Sequence, residues 1–162
     1  LESLVVGIDG CSVPNFALPL QHMAYGIARF LHTADLPPAR AQAATRLADA
    51  MRTHPDLIAW EGSVDTRLMR AIPGLLAKGG AEGYQVVALP PGLIKPNSPA
   101  IGLALKIADG TSRARACVVL EALAQLGLPI PPELDDLHHP QLLNWRKLKV
   151  GELRPVFQLQ MA

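Results

Sequence analysis

Apolar positions along this chain follow two rhythms, and each change of rhythm marks an element. Leu20, Met23, Ala24, Ile27, Ala28 and Leu31 recur at the three- and four-residue spacing of one helix face. Pro19 precedes them, in the place where a first-turn proline is tolerated. Residues 32–38 break that helix, and Pro37-Pro38 opens a second one. Its expected buried stripe is Ala44, Leu47, Ala48 and Met51, with Arg40, Arg46, Asp49 and Arg52 left in water. A short loop between two such helices predicts an antiparallel pair. His54-Pro55 stops the second helix, and residues 57–60 form a short apolar piece. Ser63 or Asp65 then stands ready to cap a short helix carrying Leu68, Met69 and Ile72, which Pro73-Gly74 ends.

Between the helical stretches the period shortens. Residues 4–8 read as a strand that stops at Asp9-Gly10, exposes Cys11 and Ser12, and hands over to a helix launched at Pro14-Asn15. Polar residues at a strand's C-terminal end are where open α/β sheets hold ligands. Asp-Gly is equally ordinary turn chemistry, for which only Gly10 is needed. Tyr84–Leu89 and residues 101–107 are two further strands. The proline-rich link between them is too short for a parallel crossover, so an antiparallel hairpin is expected. Asp109-Gly110-Thr111-Ser112 should turn the chain and cap a third long helix over residues 113–126. Ala116, Val119, Leu120, Leu123 and Ala124 would face inward, and Gly127 would end it. Lys106, closing an apolar strand, is expected to snorkel or pair with Asp109. In the tail, residues 134–137 suggest one helical turn and residues 152–157 a closing edge strand. Strands and helices together predict a single α/β (α+β) domain.

Composition narrows the function classes. The chain has 162 residues, 49% hydrophobic but only 4% aromatic, so alanine and leucine must fill a closely packed interior. A net charge of +1 without a basic stripe gives no footprint for nucleic acid. No uncharged apolar run of membrane-spanning length occurs, nor a secretory signal pattern. Cys11 and Cys117 make no disulfide framework, which predicts a reducing, cytoplasmic setting. The chain begins at Leu1 rather than methionine, and a section cut from a longer protein is expected.

Besides the Asp9–Ser12 turn, two places carry candidate chemistry. Lys78-Gly79-Gly80 sets a cation beside open backbone at a strand entrance, which can hold an anionic intermediate on N–H groups. A solvated lysine in a glycine turn would look the same. His138-His139 offers a general base or a metal ligand, or else a polar surface pair, the simpler reading where no second ligand follows at helical or CxxC spacing. Cys117 sits among aliphatic residues as a small buried hydrophobe.

Taken in order, 9–20 (DGCSVPNFALPL), 51–55 (MRTHP), 65–69 (DTRLM), 77–83 (AKGGAEG), 104–110 (ALKIADG), Asn144-Trp145 and 151–155 (GELRP) resemble the bacterial L-asparaginase II family, the Rhizobium-type asparaginases. The resemblance covers nearly the whole chain and matches the C-terminal half of that family. It implies a fold similar to serine β-lactamases and glutaminases, an antiparallel sheet flanked by helices. It implies that Lys78 is catalytic, that the Ala81 N–H helps form an oxyanion hole, and that Gly80 and Asp9 border the substrate. Cys11 would be a zinc ligand.

The same resemblance shows gaps. The family's Ser-x-x-Lys nucleophile is absent: Ser3, Ser12, Ser63, Ser98 and Ser112 are followed at the third place by Val6, Asn15, Thr66, Ile101 and Arg115. Its Cys-x-x-Lys zinc pair is absent too. The expectation is therefore an L-asparagine amidohydrolase whose serine comes from elsewhere, with a partial zinc site. Its partners would be a second copy or the missing N-terminal half. Two alternatives stay open: a non-catalytic binding or assembly subunit, and a cysteine hydrolase using Cys11 with His138 or His139 if they meet.

Overall fold

An antiparallel three-stranded meander organises the molecule, in the order β3 (Leu76–Gly79), β4 (Tyr84–Leu89), β5 (Ile101–Lys106). The computed structural model describes residues 4–160. Ahead of the sheet come β1 (Val6–Ile8), β2 (Pro14–Phe16), α1 (Leu20–Leu31), α2 (Pro38–Thr53), α3 (Pro55–Ile58) and α4 (Val64–Ala71). After it come α5 (Arg115–Gln125), a 3-10 turn at Pro132–Leu134, α6 (Asp135–His138), β6 (Gln141–Leu143) and β7 (Lys149–Glu152). The architecture is α+β: small antiparallel sheets flanked by helices, as expected.

Register decides which side chain meets which layer. Leu76 pairs with Ala88 and Ala88 with Gly102; Gly79 pairs with Gln85, one residue out of phase. Alternation along a strand puts these two rows on opposite faces. A Cβ at Gly102 would overlap the Ala24 carbonyl of α1. A Cβ at Gly79 would meet Arg115 of α5 and Asp65 of α4. So α1 covers one face, and α4 with the start of α5 covers the other. Leu68, Leu75, Leu76, Val87, Val119, Leu120 and Leu123 are fully buried in the core between the layers. Each such leucine contributes about 1.5–3 kcal/mol by leaving water.

The helices start and stop where their punctuation says. Pro38 opens α2 and His54 ends it. The Ser63 hydroxyl accepts the Thr66 N–H at 3.1 Å and caps α4. Gly127 takes φ +94°, and the Leu128 N–H returns to the Leu123 carbonyl at 3.0 Å. Residues 134–137 do turn helically.

Four expectations fail. Pro14-Asn15 does not launch a helix: Pro14–Phe16 is a strand pairing antiparallel with Val6–Ile8, because the Asp9 loop reverses the chain instead of passing it on. Leu47 is 55% exposed, since the buried stripe of α2 narrows to Ala44 and Ala48, whose small side chains allow close approach. Neither Thr111 nor Ser112 caps α5, whose first helical turn follows Ala114. Asp109 Oδ1 instead accepts both the N–H and the hydroxyl of Thr111, closing the turn on itself. Residues 153–157 form no strand; the closing hairpin is β6 with β7, earlier in the tail. The periodicity also passed over β3, whose Leu-Ala-Lys-Gly lacks β-branched residues.

The α1–sheet contact gives a direct test. Gly102→Ala forces a methyl group into the Ala24 carbonyl, so helix and sheet must separate. Destabilisation on the order of 1–3 kcal/mol is expected from such overpacking, read as a lower midpoint in urea unfolding; an unchanged midpoint would contradict the packing described.

Candidate active site

Helix α4 begins at its Ser63 cap, which leaves Asp65 in the first turn. A carboxylate there is welcome at the helix's positive end. Asp65 nevertheless reaches across to the sheet. Its Oδ2 accepts the Gly79 N–H at 2.6 Å, and its Oδ1 accepts Gln85 Nε2 at 2.8 Å. Asp65 is only 4% exposed and Gln85 not at all. Arg115 donates to the Tyr84 carbonyl at 3.4 Å, and its Nη1 would lie 2.6 Å from any Cβ on residue 79. Glycine at 79 makes room for the guanidinium.

Lys78 lies on the opposite, α1-facing side, in one row with Val86 and Ala104. It is exposed, and its Nζ donates to the Gly79 carbonyl at 2.5 Å. The Gly80 N–H donates to the Tyr84 carbonyl at 2.9 Å. Over Gly80 lies the Tyr84 ring, so closely that a Cβ would come 2.7 Å from Cδ1. Burial pushes the Tyr84 phenol up from its ordinary pKa. Ala81 is exposed, and its carbonyl accepts the Tyr84 N–H at 3.4 Å. Lys106, in register with Tyr84, bonds the Glu82 carbonyl and sits 3.8 Å from the Glu82 carboxylate. Asp109 is not its partner, because the Asp109 carboxylate is turned into its own loop.

Asp9 builds a turn. Its Oδ1 accepts the N–H groups of Cys11 at 2.9 Å and Val13 at 3.0 Å, and its own N–H donates to the Val13 carbonyl. Ser12, not Gly10, takes the left-handed conformation, at φ 65°. The expected dependence on Gly10 is therefore wrong: the Asp9 carboxylate and Ser12 make the reversal. Cys11 is exposed and unpaired. Among the described residues no group of three or more histidine, cysteine, aspartate or glutamate side chains converges to hold a metal. Cys11 and Asp9 therefore do not fit a zinc cage by themselves, since zinc sites use three or four protein ligands.

Topology relates this loop to the lysine. Arg29 and His32, late in α1, line a cleft with Pro99 and Ala100, while Ala24 sits over Gly102. Helix α1 thus runs against β5. Its N-terminus, and the root of the β1–β2 hairpin before it, lie toward the end of the sheet that carries Lys78, Gly80 and Lys106. No hydrogen bond among those described joins Asp9 or Cys11 to Lys78.

The histidines fall elsewhere. His138 is not a free surface residue: its Nε2 lies 3.1 Å from Glu121 Oε2 on α5, and its ring stacks on His139. Gln125 and then His138 hold the Glu121 carboxyl below its ordinary pKa. Gln125 also clamps the tail, donating to the Phe157 carbonyl and accepting the Leu159 N–H. His138 is held by Glu121, and no hydrogen bond among those described joins the Cys11 thiol to either histidine. Cys117 is buried as expected, and burial pushes its thiol pKa up.

The family model for L-asparaginase II matches residues 1–155. The chain belongs to the L-asparaginase II family. No curated protein matches this L-asparaginase II chain. Among the described residues no helix is long and apolar enough to cross a membrane. The family assignment gives amidohydrolase chemistry on asparagine as the general activity and a small molecule as substrate. Periodicity missed Asp65, Gln85 and Arg115. One signal was present: Ser63 and Asp65 could not both cap α4, so one was free for other work.

The Glu121 cluster carries a pH prediction for this family member. A folded-state pKa below the unfolded value means stability that is present above the unfolded value and lost as pH falls through the folded one. Thermal midpoints of wild type and Glu121→Gln should differ at pH 7 and begin to converge as pH falls below the ordinary glutamate value of about 4.3. A constant gap down to pH 3 would remove the Glu121 carboxylate as the cause.

Proposed function

We propose that this chain supplies the lysine and oxyanion side of an L-asparagine amidohydrolase, while a Ser-x-x-Lys nucleophile acts from outside it. The observation that carries this reading is the use of backbone N–H groups after Lys78. Gly79 gives its N–H to Asp65 and Gly80 gives its N–H to Tyr84, so the next along the chain is that of Ala81. An exposed lysine followed by that N–H, at an uncovered end of a sheet, suits a site for developing negative charge. In the reaction the serine oxygen bonds to the side-chain amide carbon. Its proton passes through the paired lysine to the leaving nitrogen, and ammonia departs. Lys78 Nζ and the Ala81 N–H stabilise the tetrahedral oxyanion. Water then cleaves the aspartyl ester, releasing aspartate and restoring the serine. Gly80 lets the backbone approach the substrate, and Asp9 meets its amino group.

A covering partner has support of its own. Val6, Ile8, Val13 and Phe16 of the first hairpin are each more than half exposed, and Trp145 at the tip of the last is fully so. Isolated two-stranded hairpins are marginal in water, and apolar surface on this scale marks interaction sites. The same surface suits the second reading, an assembly subunit without chemistry.

Ammonia release from L-asparagine decides between them. The purified chain alone should fall on the order of a millionfold below the assembled enzyme, the loss seen when a serine hydrolase lacks its nucleophile. In the assembled enzyme Lys78→Met should lower turnover at least about 100-fold, the scale of one lost oxyanion contact. Lys106→Met should change turnover by less than about tenfold. Equal losses would refute the assignment of Lys78. For the metal, the chain alone should retain no stoichiometric zinc after dialysis; zinc that persists equally in Cys11→Ser would exclude Cys11 as a ligand.

A further inference from the structure

Strand β3 is short, ends in glycine and lies at the edge of its sheet, so half of its backbone has no neighbouring strand. Gly79 N–H points away from β4, and Asp65 meets it at 2.6 Å. The carboxylate comes from a different element, fourteen residues earlier, and passes over the N–H groups of its own helix to get there. Its second oxygen is tied to Gln85 Nε2, on the strand that pairs with Gly79. Asp65 thereby fixes one peptide of β3 relative to both α4 and β4. The guanidinium of Arg115 closes the same face, leaving no room for Gly79 to shift toward it.

We propose that Asp65 is the positioning residue for the Lys78–Ala81 segment, setting the placement of Lys78 and of the Ala81 N–H through the Gly79 peptide; its catalytic consequence rests on the amidohydrolase reading above. Beyond its pairing with β4 and Tyr84, the segment has few side-chain restraints. Lys78 is exposed, Gly79 and Gly80 have no side chains, and Ala81 and Glu82 are exposed. A charge-assisted bond from a buried carboxylate is the strongest restraint given to it. Gln85 Oε1 and Arg115 Nε are buried without partners, so the polar group under β3 has little slack to re-form if Asp65 is lost.

Two kinds of measurement test this in the intact, active protein: amide hydrogen exchange at Gly79 and Gly80, whose N–H groups are both bonded, and kcat and KM for L-asparagine. Asp65→Asn keeps an oxygen for Gly79, and its new amide N–H can meet a turned Gln85 through the unpaired Oε1. It should hold exchange and kcat within about tenfold of wild type, as expected for the loss of charge assistance alone. Asp65→Ala should speed exchange at both amides and lower kcat on the order of 100-fold, the scale of a 1 Å misplacement, with KM changing less. If Asp65→Ala does not fold, Asp65→Ser, whose oxygen is too short to reach Gly79, replaces it with the same expected result. Exchange at the wild-type rate in Asp65→Ala or Asp65→Ser would overturn the proposal, and so would faster exchange with unchanged kcat. Should the intact protein release no ammonia from asparagine, the amidohydrolase reading fails separately, and exchange at Gly79 and Gly80 still decides whether Asp65 holds the segment.

Discussion

A buried carboxylate joined to a strand edge is the constraint on which the site depends. Removing a charge from water costs several kcal/mol unless hydrogen bonds replace the lost hydration. Asp65 recovers two such bonds, from Gly79 and Gln85. The arrangement works only if α4, β3 and β4 meet in one register. Ser63 sets where α4 starts, and the pairing of Gly79 with Gln85 sets the strands. The polar contact therefore selects one arrangement of elements that hydrophobic burial alone would leave free to slide. It also ends the sheet at this edge: an N–H taken by a carboxylate cannot template another strand.

The two faces of the sheet have separate duties. On the α4 and α5 side, Val87, Leu120 and Leu123 are sealed, and polar groups meet the sheet as the Asp65–Gln85–Arg115 set. On the α1 side, Gly102 admits the helix backbone at one end, while at the other Lys78 and Lys106 are exposed and the Tyr84 ring lies over Gly80. Alternation along β3 ties these together, since Lys78 and Gly79 must point to opposite faces. A lysine on the open face thus has, as its next residue, the peptide anchored on the closed face. That coupling follows from strand geometry and needs no further contact.

Legibility from sequence followed the strength of local signals. Helices α1, α2 and α5 have long periodic faces and proline or glycine punctuation, and they stand close to where the pattern put them. The β4–β5 hairpin was readable because a proline-rich link of that length excludes a crossover. Strand β3 was not, because a four-residue piece ending in Lys-Gly has no alternation to detect. Leu47 was misplaced because α2 buries alanines, and a stripe drawn by hydrophobicity overestimates how far a closely approached helix faces inward. In the candidate site, Lys78 came from the Lys-Gly-Gly pattern and from family resemblance and Ala81 from the resemblance alone, while Asp65, Gln85 and the His138–Glu121 pair needed tertiary structure. Their partners lie 14, 20 and 17 residues away, beyond any local pattern.

The hairpins pose the remaining physical question, and their composition argues for an answer. β1 and β2 hold together through their own ladder and the Asp9 loop, and β6 and β7 through a ladder closed by Asn144 and Lys147. Each exposes both of its faces to a large extent, with Phe16 and Trp145 among the residues in water. Loops that only cap a domain would lose nothing by being polar, whereas these carry Val, Ile, Phe, Leu and Trp. Apolar residues on such hairpins gain stability only from a surface that covers them. The root of the first hairpin also points to the sheet end where Lys78 is uncovered. A chain docking on that hairpin would therefore lie toward the end of the sheet that carries Lys78.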